Sequence, residues 1–387
     1  MRVLYANPIF SDYRLPFYKR LNELFNGEFY VMYSPYRYRY ENMDALLPKI
    51  EERLRDIAYP YEGETIKKIR KPFNKDFDAY TRIPFLRHFS ASLAKCKPEV
   101  LITEGFFQWT PMVAWYAWRH HLPVYIGYER TKHTERFIPF YKVWQRKLMD
   151  KFVTGYFANG TETREYLLSL GIKDKKIHIA GMNADGEGLR KGIVSVSEEE
   201  KQGFKQSLGL GKGISYLYSG QMIPRKGVCY LLDAWREHTK KYSEDSLILI
   251  GGGELLEEFK QRYADLKTAH ILGKVPYDEV HRYYAISDVF VIPTLEDNWC
   301  LVVPEAMSCG MPVACSKYNG GAVDLIREGE NGTVFDPLNP DSMLASLAFF
   351  HGKDLKAMGK RSIELEEPWN TENAAKRLYN VIANEED

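Results

Sequence analysis

The chain of 387 residues lacks a long apolar run, is poor in cysteine and carries almost no net charge. Apolar runs such as Leu247–Ile250 and Leu301–Val303 fall far short of the ~18 residues that a membrane span needs. The N-terminal Met1-Arg-Val-Leu-Tyr-Ala enters a short buried-strand pattern at once, without a signal peptide's apolar core. Five cysteines with no Cys-x-x-Cys pair argue against a disulfide framework and a structural zinc site, and read as small buried hydrophobes. These absences predict a cytoplasmic, reduced protein. Repeats and low-complexity stretches are missing too, and no Gly-x-Gly-x-x-Gly follows a strand pattern. The first strand leads into Asn7-Pro-Ile-Phe-Ser-Asp-Tyr-Arg, and Leu247-Ile-Leu-Ile-Gly-Gly-Gly-Glu reads as a tight strand-to-helix turn. A nicotinamide dehydrogenase is disfavoured.

What is present is the composition of a folded protein, 45% hydrophobic, 27% charged and 14% aromatic, which excludes a disordered or fibrous chain. The net charge of +1 hides an asymmetry. Residues 1–180 hold 30 Lys/Arg against 20 Asp/Glu, or +10, leaving 53 − 30 = 23 basic and 52 − 20 = 32 acidic residues, or −9, in the remainder. The imbalance fits two domains with different partners, or two faces of opposite sign across a cleft. Arg37-Tyr-Arg-Tyr and Lys67-Lys-Ile-Arg-Lys alternate basic with aromatic or apolar residues. They suit an anionic membrane surface or a lipid-diphosphate acceptor, with a soluble acidic acceptor as the alternative.

Short apolar runs alternate with longer periodic segments. Val3–Ala6, Val100–Thr103, Val124–Gly127 and Ile177–Ala180 read as strands, and Pro111–His120 and Glu162–Leu170 as helices. Later, Ser215–Ser219, Leu247–Ile250, Val289–Ile292 and Val313–Ser316 alternate with the helical stretches Val228–Trp235, Leu255–Tyr263, Val280–Ala285 and Val302–Cys309. Such alternation predicts βαβ units and parallel sheets. The periodicity collapses from Gly181 to Gly213, which reads as a linker followed by a charged helix, Ser197–Leu208. The expected organisation is therefore α/β, with Rossmann-like domains at 1–185 and 214–369, a linker and charged helix at 186–213, and a helix at 370–387 that returns to the first domain. Ligand then belongs in the crevice at the strands' carboxyl ends.

Two segments carry the chemistry. In Asp288-Val-Phe-Val-Ile-Pro-Thr-Leu-Glu-Asp-Asn-Trp-Cys-Leu-Val-Val-Pro-Glu, a strand leads through a loop into a helix with Pro304 in its first turn. Asp297 precedes that helix and Glu305 lies about one turn inside it; the bland reading is that they cap it and favour its dipole. In Ser219-Gly-Gln-Met-Ile-Pro-Arg-Lys-Gly, two adjacent cations, Arg225 and Lys226, stand at a helix start. They oppose the local positive potential, which makes sense where an anion such as a diphosphate sits between them. Two solvated cations in a turn are the alternative.

Together with His270-Ile-Leu-Gly-Lys-Val-Pro and Gly320-Gly-Ala-Val-Asp-Leu-Ile-Arg-Glu-Gly-Glu-Asn-Gly, these blocks resemble the retaining GT-B glycosyltransferases, the group 1 family with a Glu-x7-Glu motif. The resemblance spans the second half; in the first it rests on Ala158-Asn-Gly-Thr and Tyr166-Leu-Leu-Ser-Leu-Gly-Ile. It implies two Rossmann-like domains facing a cleft. It further implies that Glu305 binds the nucleotide ribose, that Asp297, in the place of the usual first Glu, holds donor-sugar hydroxyls, and that Lys226 meets the pyrophosphate. The family's partner arginine falls at Gln221 here, so Arg225 is expected to replace it. The Gly220–Gln221 turn and the amides of Asn298, Trp299, Cys300, Leu301 and Val302 would line the donor site, Val275 would meet the base through its backbone, and Gly321 would lie near the diphosphate. His133 falls in the region of the first-domain histidine that many relatives place near the donor sugar, with a solvated loop histidine as the competing reading.

The function so implied is transfer of a sugar from a nucleoside diphosphate, a UDP-sugar first among the donors, to a glycan, lipid-linked or small-molecule acceptor with retention of configuration. No metal and no nucleic acid are expected as partners, since Asp76-Phe-Asp78, the one Asp-x-Asp, lies far from the donor motifs. The acceptor segments would be Phe10–Arg14, Glu104–Trp109 and Glu129–His133, at strand ends of the first domain. The expected location is cytoplasmic, with a peripheral position at a membrane's inner face as the alternative. Two other classes fit the same motifs: a non-catalytic nucleotide-sugar-binding subunit, and a GT-B enzyme of different chemistry such as an epimerase.

Overall fold

The computed structural model describes residues 1–70, 80–180 and 186–383, so Asp76-Phe-Asp78 lies outside the described residues. In chain order the strands are β1 Val3–Ala6, β2 Phe29–Tyr33, β3 Ala58–Pro60, β4 Glu64–Arg70, β5 Tyr80–Leu86, β6 Val100–Glu104, β7 Val124–Tyr128, β8 Gly155–Ala158, β9 Ile177–Ile179, β10 Ser215–Ser219, β11 Ser246–Ile250, β12 Ala269–Gly273, β13 Val289–Ile292, β14 Val313–Ser316 and β15 Gly332–Phe335. The helices are α1 Arg14–Leu24, α2 Pro35–Tyr40, α3 Leu47–Leu54, α4 Phe89–Cys96, α5 Thr110–His120, α6 Phe140–Met149, α7 Thr161–Ser169, α8 Gly186–Val194, α9 Glu198–Ser207, α10 Val228–His238, α11 Leu256–Arg262, α12 Val280–Ala285, α13 Val302–Ser308, α14 Ala322–Leu325, α15 Pro340–Ala348, α16 Leu355–Glu366 and α17 Thr371–Ala383.

These elements form two compact units. Unit 1 comprises Met1–Arg130, Phe137–Gly181 and Thr371–Asp387; unit 2 comprises Thr131–Arg136 and Met182–Asn370. Unit 1 holds a seven-stranded sheet in the order β3-β2-β1-β6-β7-β8-β9, and unit 2 a six-stranded sheet in the order β12-β11-β10-β13-β14-β15. All neighbours within these two sheets run parallel. Strands covered on both faces explain the unbroken apolar runs: every residue of β1, β8, β13 and β14 is buried. In each sheet the winding reverses beside a central strand, between β1 and β6 and between β10 and β13. Those are the places where a doubly wound sheet leaves a crevice for ligand.

Three local features differ from the sequence reading. The antiparallel hairpin β4–β5 follows no apolar run and was not expected. Gly186–Val194, read as a linker, is the helix α8, in contact with α12 and α13. The Arg37-Tyr-Arg-Tyr cluster is split: Arg37 is buried, ion-paired with Glu64, whose carboxylate also accepts the Trp109 indole N–H at 3.2 Å, while Arg39 is exposed. Of the second basic cluster, Lys67 lies 4.8 Å over the Phe85 ring, and the side chains from Lys68 to Lys71 lie outside the described residues. The charged helix α9 carries a capping box, Ser197 Oγ accepting from the Glu200 amide at 3.2 Å. The last helix, α17, belongs to unit 1, packing Ala374, Ala375, Leu378 and Ile382 into its core; Tyr379 meets Phe25 at 4.9 Å and Arg20 donates to Glu372 at 2.8 Å.

Candidate active site

At the winding reversal of unit 2, the loop after β10 and the loop after β13 lie side by side. The Leu295 amide donates to the Arg225 carbonyl at 2.8 Å, and Thr294 Oγ1 reaches the same carbonyl at 3.3 Å. Gly227 lets the first loop pass this closely: its φ is +66°, and an added Cβ would stand 2.2 Å from the Pro293 carbonyl oxygen. The Gly251-Gly252-Gly253 turn has a comparable duty. The Met222 amide donates to the Gly252 carbonyl at 2.8 Å, and a Cβ on Gly253 would meet the Met222 carbonyl oxygen at 2.3 Å. Those glycines brace the cation loop.

The two loops bring the expected charges together. Lys226 Nζ is hydrogen-bonded to Asp297 Oδ2, and both side chains are largely buried, 12% and 15% exposed. Burial works against the Lys226 charge, but the hydrogen-bonded Asp297 carboxylate outweighs it and holds its pKa above the ordinary value. Burial likewise pushes the Cys300 thiol well above its usual range, so that sulfur is neutral. Arg225 is half exposed, with Nη1 4.0 Å from Asp297 Oδ2 and 3.3 Å from the Glu296 carbonyl oxygen. Asp297 does not cap α13, whose start at Leu301 has no side-chain cap. The competing capping reading therefore does not hold for Asp297, while Glu305 does stand, half-buried, in the first turn of α13.

A third loop, after β14, closes the arrangement. Asp297 pairs with Asn319 as a parallel bridge, its amide donating to the Tyr318 carbonyl at 3.2 Å and its carbonyl accepting from the Gly320 amide at 3.0 Å. The buried Asn319 Oδ1 accepts from the amides of Cys300 at 3.0 Å and Gly321 at 3.2 Å. Sequence reasoning missed Asn319; the pair of glycines after it was its only mark. The Cys300 amide, expected to face a donor, is thus already engaged. Trp299 is buried against Trp369 at 4.8 Å. Among the described residues, Asn298 Oδ1 and Trp299 Nε1 are buried polar atoms with no hydrogen-bond partner. Leu301 and Val302 are half-buried at the start of α13, and Gly220 and the exposed Gln221 follow β10. Val275 follows β12, the edge strand, two strands from β10.

His133 is no solvated loop residue. It lies in Thr131–Arg136, the short stretch of the first half that belongs to unit 2. Its Nε2 is 2.8 Å from the Leu295 carbonyl oxygen, so Nε2–H donates, and its ring stacks on Tyr318 at 4.8 Å. Arg136 ion-pairs with Glu296 at 2.7 Å, a second tie to the loop that carries Asp297. Of the segments expected to meet an acceptor, Phe10 and Trp109 are buried core residues, and Glu104 is paired with Arg14 at 3.3 Å.

Residues 200–361 match the family model described as Glycosyl transferases group 1. An uncharacterized glycosyltransferase of Methanocaldococcus jannaschii is 29% identical over 199 residues, which cover 49% of this chain and 50% of that protein. A GDP-mannose-dependent alpha-(1-6)-phosphatidylinositol monomannoside mannosyltransferase of Mycolicibacterium smegmatis is 28% identical over 153 residues, 37% of this chain and 40% of its own length. The chain spans half or less of the length of these curated relatives. Among solved structures, Anabaena HepE in complex with UDP matches with a TM-score of 0.76 at 13% identity, covering 99% of this chain and 100% of that one. The fold is thereby that of the GT-B glycosyltransferases, two Rossmann-like α/β units. Among the described residues, no helix is long and apolar enough to cross a membrane.

Proposed function

We propose that the protein transfers a sugar from a nucleoside-diphosphate donor to a glycan, lipid-linked or small-molecule acceptor with retention of configuration, in polysaccharide or glycolipid biosynthesis. The observation that carries this reading is the Lys226–Asp297 contact at the winding reversal of unit 2, with Arg225 beside it and Glu305 one turn into α13. A cation and a carboxylate held on neighbouring loops can divide a donor between them, the cation taking diphosphate oxygens and the carboxylate sugar hydroxyls. Glu305 then accepts from the ribose. A UDP-sugar is the first donor to test, since HepE, one of the structural neighbours, is solved with UDP and with UDP-glucose.

The chemistry follows from charge. As the glycosidic bond to the diphosphate breaks, negative charge grows on the leaving oxygens, and Arg225 and Lys226 meet it without a metal ion in the proposed mechanism. Asp297, freed from Lys226 by the diphosphate, orients the sugar, and the acceptor hydroxyl attacks on the face the diphosphate leaves, which retains configuration, its proton passing to the departing phosphate oxygen as the sugar–oxygen bond breaks. His133, tied by Nε2 to the carbonyl of Leu295, holds this loop and turns its ring edge to the sugar. Peripheral attachment at a cytoplasmic membrane face completes the reading.

The test is a thermal-shift panel of nucleotide sugars followed by donor hydrolysis with the best binder, because a bound ligand raises apparent stability by mass action. Stabilisation by a nucleotide sugar with slow sugar release is the expected result. Stabilisation without any release over long incubation would instead establish a binding subunit.

A further inference from the structure

We propose that the face formed by α6 and the end of α5 is the membrane-docking surface of the protein and takes an anionic lipid interface. Two polar side chains of α6 point inward: Arg146 is buried, donates to the Tyr166 hydroxyl at 2.6 Å and lies 5.3 Å over the Phe106 ring, while Gln145 donates to the Phe106 carbonyl at 3.1 Å. Val143 and Met149 pack against the core, but four large apolar side chains of the helix stay outside. Phe140 is 85% exposed, Tyr141 57%, Trp144 66% and Leu148 39%, at the i, i+1, i+4, i+8 spacing of one helical stripe. The face continues onto α5, where Trp118 is 57% exposed and meets Phe152 edge-on at 6.3 Å.

Charge selects the occupant. From Phe137 to Met149 there is no acidic residue, and Lys147, Lys151 and Arg119 are exposed beside the stripe. Large aromatic rings with tyrosine and tryptophan among them, rimmed by cations, suit the headgroup depth of an anionic bilayer. A second copy of the chain would place this positive rim against itself. The inference deepens the peripheral-membrane part of the proposed function and relocates it from Arg37, which is buried, to α6.

Vesicle sedimentation tests it without any transfer assay, so its failure and a failure of the transferase reading are separable. The intact chain should sediment with phosphatidylcholine vesicles containing roughly one-third phosphatidylglycerol and much less with phosphatidylcholine alone. Phe140→Ser with Trp144→Ser should lower that partitioning by about tenfold for each side chain withdrawn. Both positions are exposed, so the melting temperature should hold, and donor hydrolysis should be unchanged. Lys147→Glu with Lys151→Glu should remove the preference for anionic vesicles. Equal sedimentation of the wild type and the aromatic variant would overturn the proposal. So would a wild type that ignores vesicles but forms a dimer that the same variant dissolves, which would assign the face to self-association.

Discussion

The winding of each sheet reverses beside a central strand, and each reversal carries a cation–carboxylate pair, yet the two are built differently. In unit 1 the acid ends a strand: Glu104 closes β6, accepts the Tyr5 hydroxyl from β1 and faces Arg14, the first residue of α1, at 3.3 Å. Burial raises the Tyr5 pKa well above its usual value; burial opposes the Arg14 charge, but Glu104 holds its pKa well above the ordinary one. In unit 2 both partners sit on connecting segments that follow strands, Lys226 at the end of the 3-10 turn Pro224–Lys226 after β10 and Asp297 on the loop after β13. A pair rooted in strand and helix ends is a brace, whereas a pair shared by two loops can open for a ligand whose charges replace each partner's. One fold thus supports two outcomes, decided by where the charge is attached.

The largest expected effect is at the loop pair. Lys226→Ala should lower turnover by on the order of 10²–10³, the loss seen when one preorganised donor to developing negative charge is removed. Steady-state donor hydrolysis reads it. Arg14→Ala in the same assay should change turnover by less than about threefold, an allowance well below one such donor's worth; a matching loss would erase the distinction between brace and site.

Next in size is a split between two carboxylates. Asp297→Ala should reduce transfer by about 10–100-fold, the range for a lost hydrogen bond to a charged group, and leave binding of the free nucleoside diphosphate little changed. Glu305→Ala should weaken both. Calorimetric titration of the diphosphate beside kinetics with the full donor separates them. Equal effects of the two mutants on diphosphate affinity would refute the assignment of Asp297 to the sugar.

A brace should show itself in stability. Arg14→Ala strands the Glu104 carboxylate and should cost about 2–3 kcal/mol, below the 3–5 of a fully buried pair because Glu104 is partly exposed. Urea unfolding monitored by tryptophan fluorescence measures it. A loss under about 0.5 kcal/mol would place Arg14 among ordinary surface pairs.

The smallest effect is in pH dependence. Burial pushes the Glu366 carboxyl up to about 7, with Arg190 pulling the other way. A carboxyl whose folded pKa exceeds its unfolded one makes the folded chain bind the extra proton, so its contribution is fullest below pH 4.5 and is lost as pH rises through 7. Glu366→Gln should flatten that slope and raise stability at pH 8 by about 1–2 kcal/mol. An unchanged slope between pH 5 and 8 would show that another group titrates there.

Much of this was legible in the residue pattern because parallel strands covered on both faces leave a plain signature. Val3–Ala6, Ser215–Ser219, Val289–Ile292 and Val313–Ser316 emerged at their expected bounds. Lys226, Asp297 and Glu305 were marked by their spacing around those strands. The hairpin β4–β5 was not legible, since in Glu64–Arg70 the two isoleucines stand three apart in the sequence, which breaks the period of two that marks a strand. Nor was α8, whose three glycines argue against a helix until contacts with α12 and α13 supply what propensity does not.

By itself, then, the order of apolar runs, turns and helical stretches determined two α/β sheets, their parallel sense and the loops on which the charges stand, because those depend on periodicity and on neighbours along the chain. The tertiary structure alone decided which charges meet. Arg37 and Arg225 each have a second cation within two residues in the sequence, yet one is buried on Glu64 and the other is half exposed beside Asp297. His133 stands far from Leu295 along the chain and next to it in space. α6 has an apolar stripe on either account, but only packing could show that the stripe faces outward, because Arg146 found four aromatic rings to lie against on the inner side. Periodicity specifies that a face exists; the free energy of what covers it specifies which way it turns.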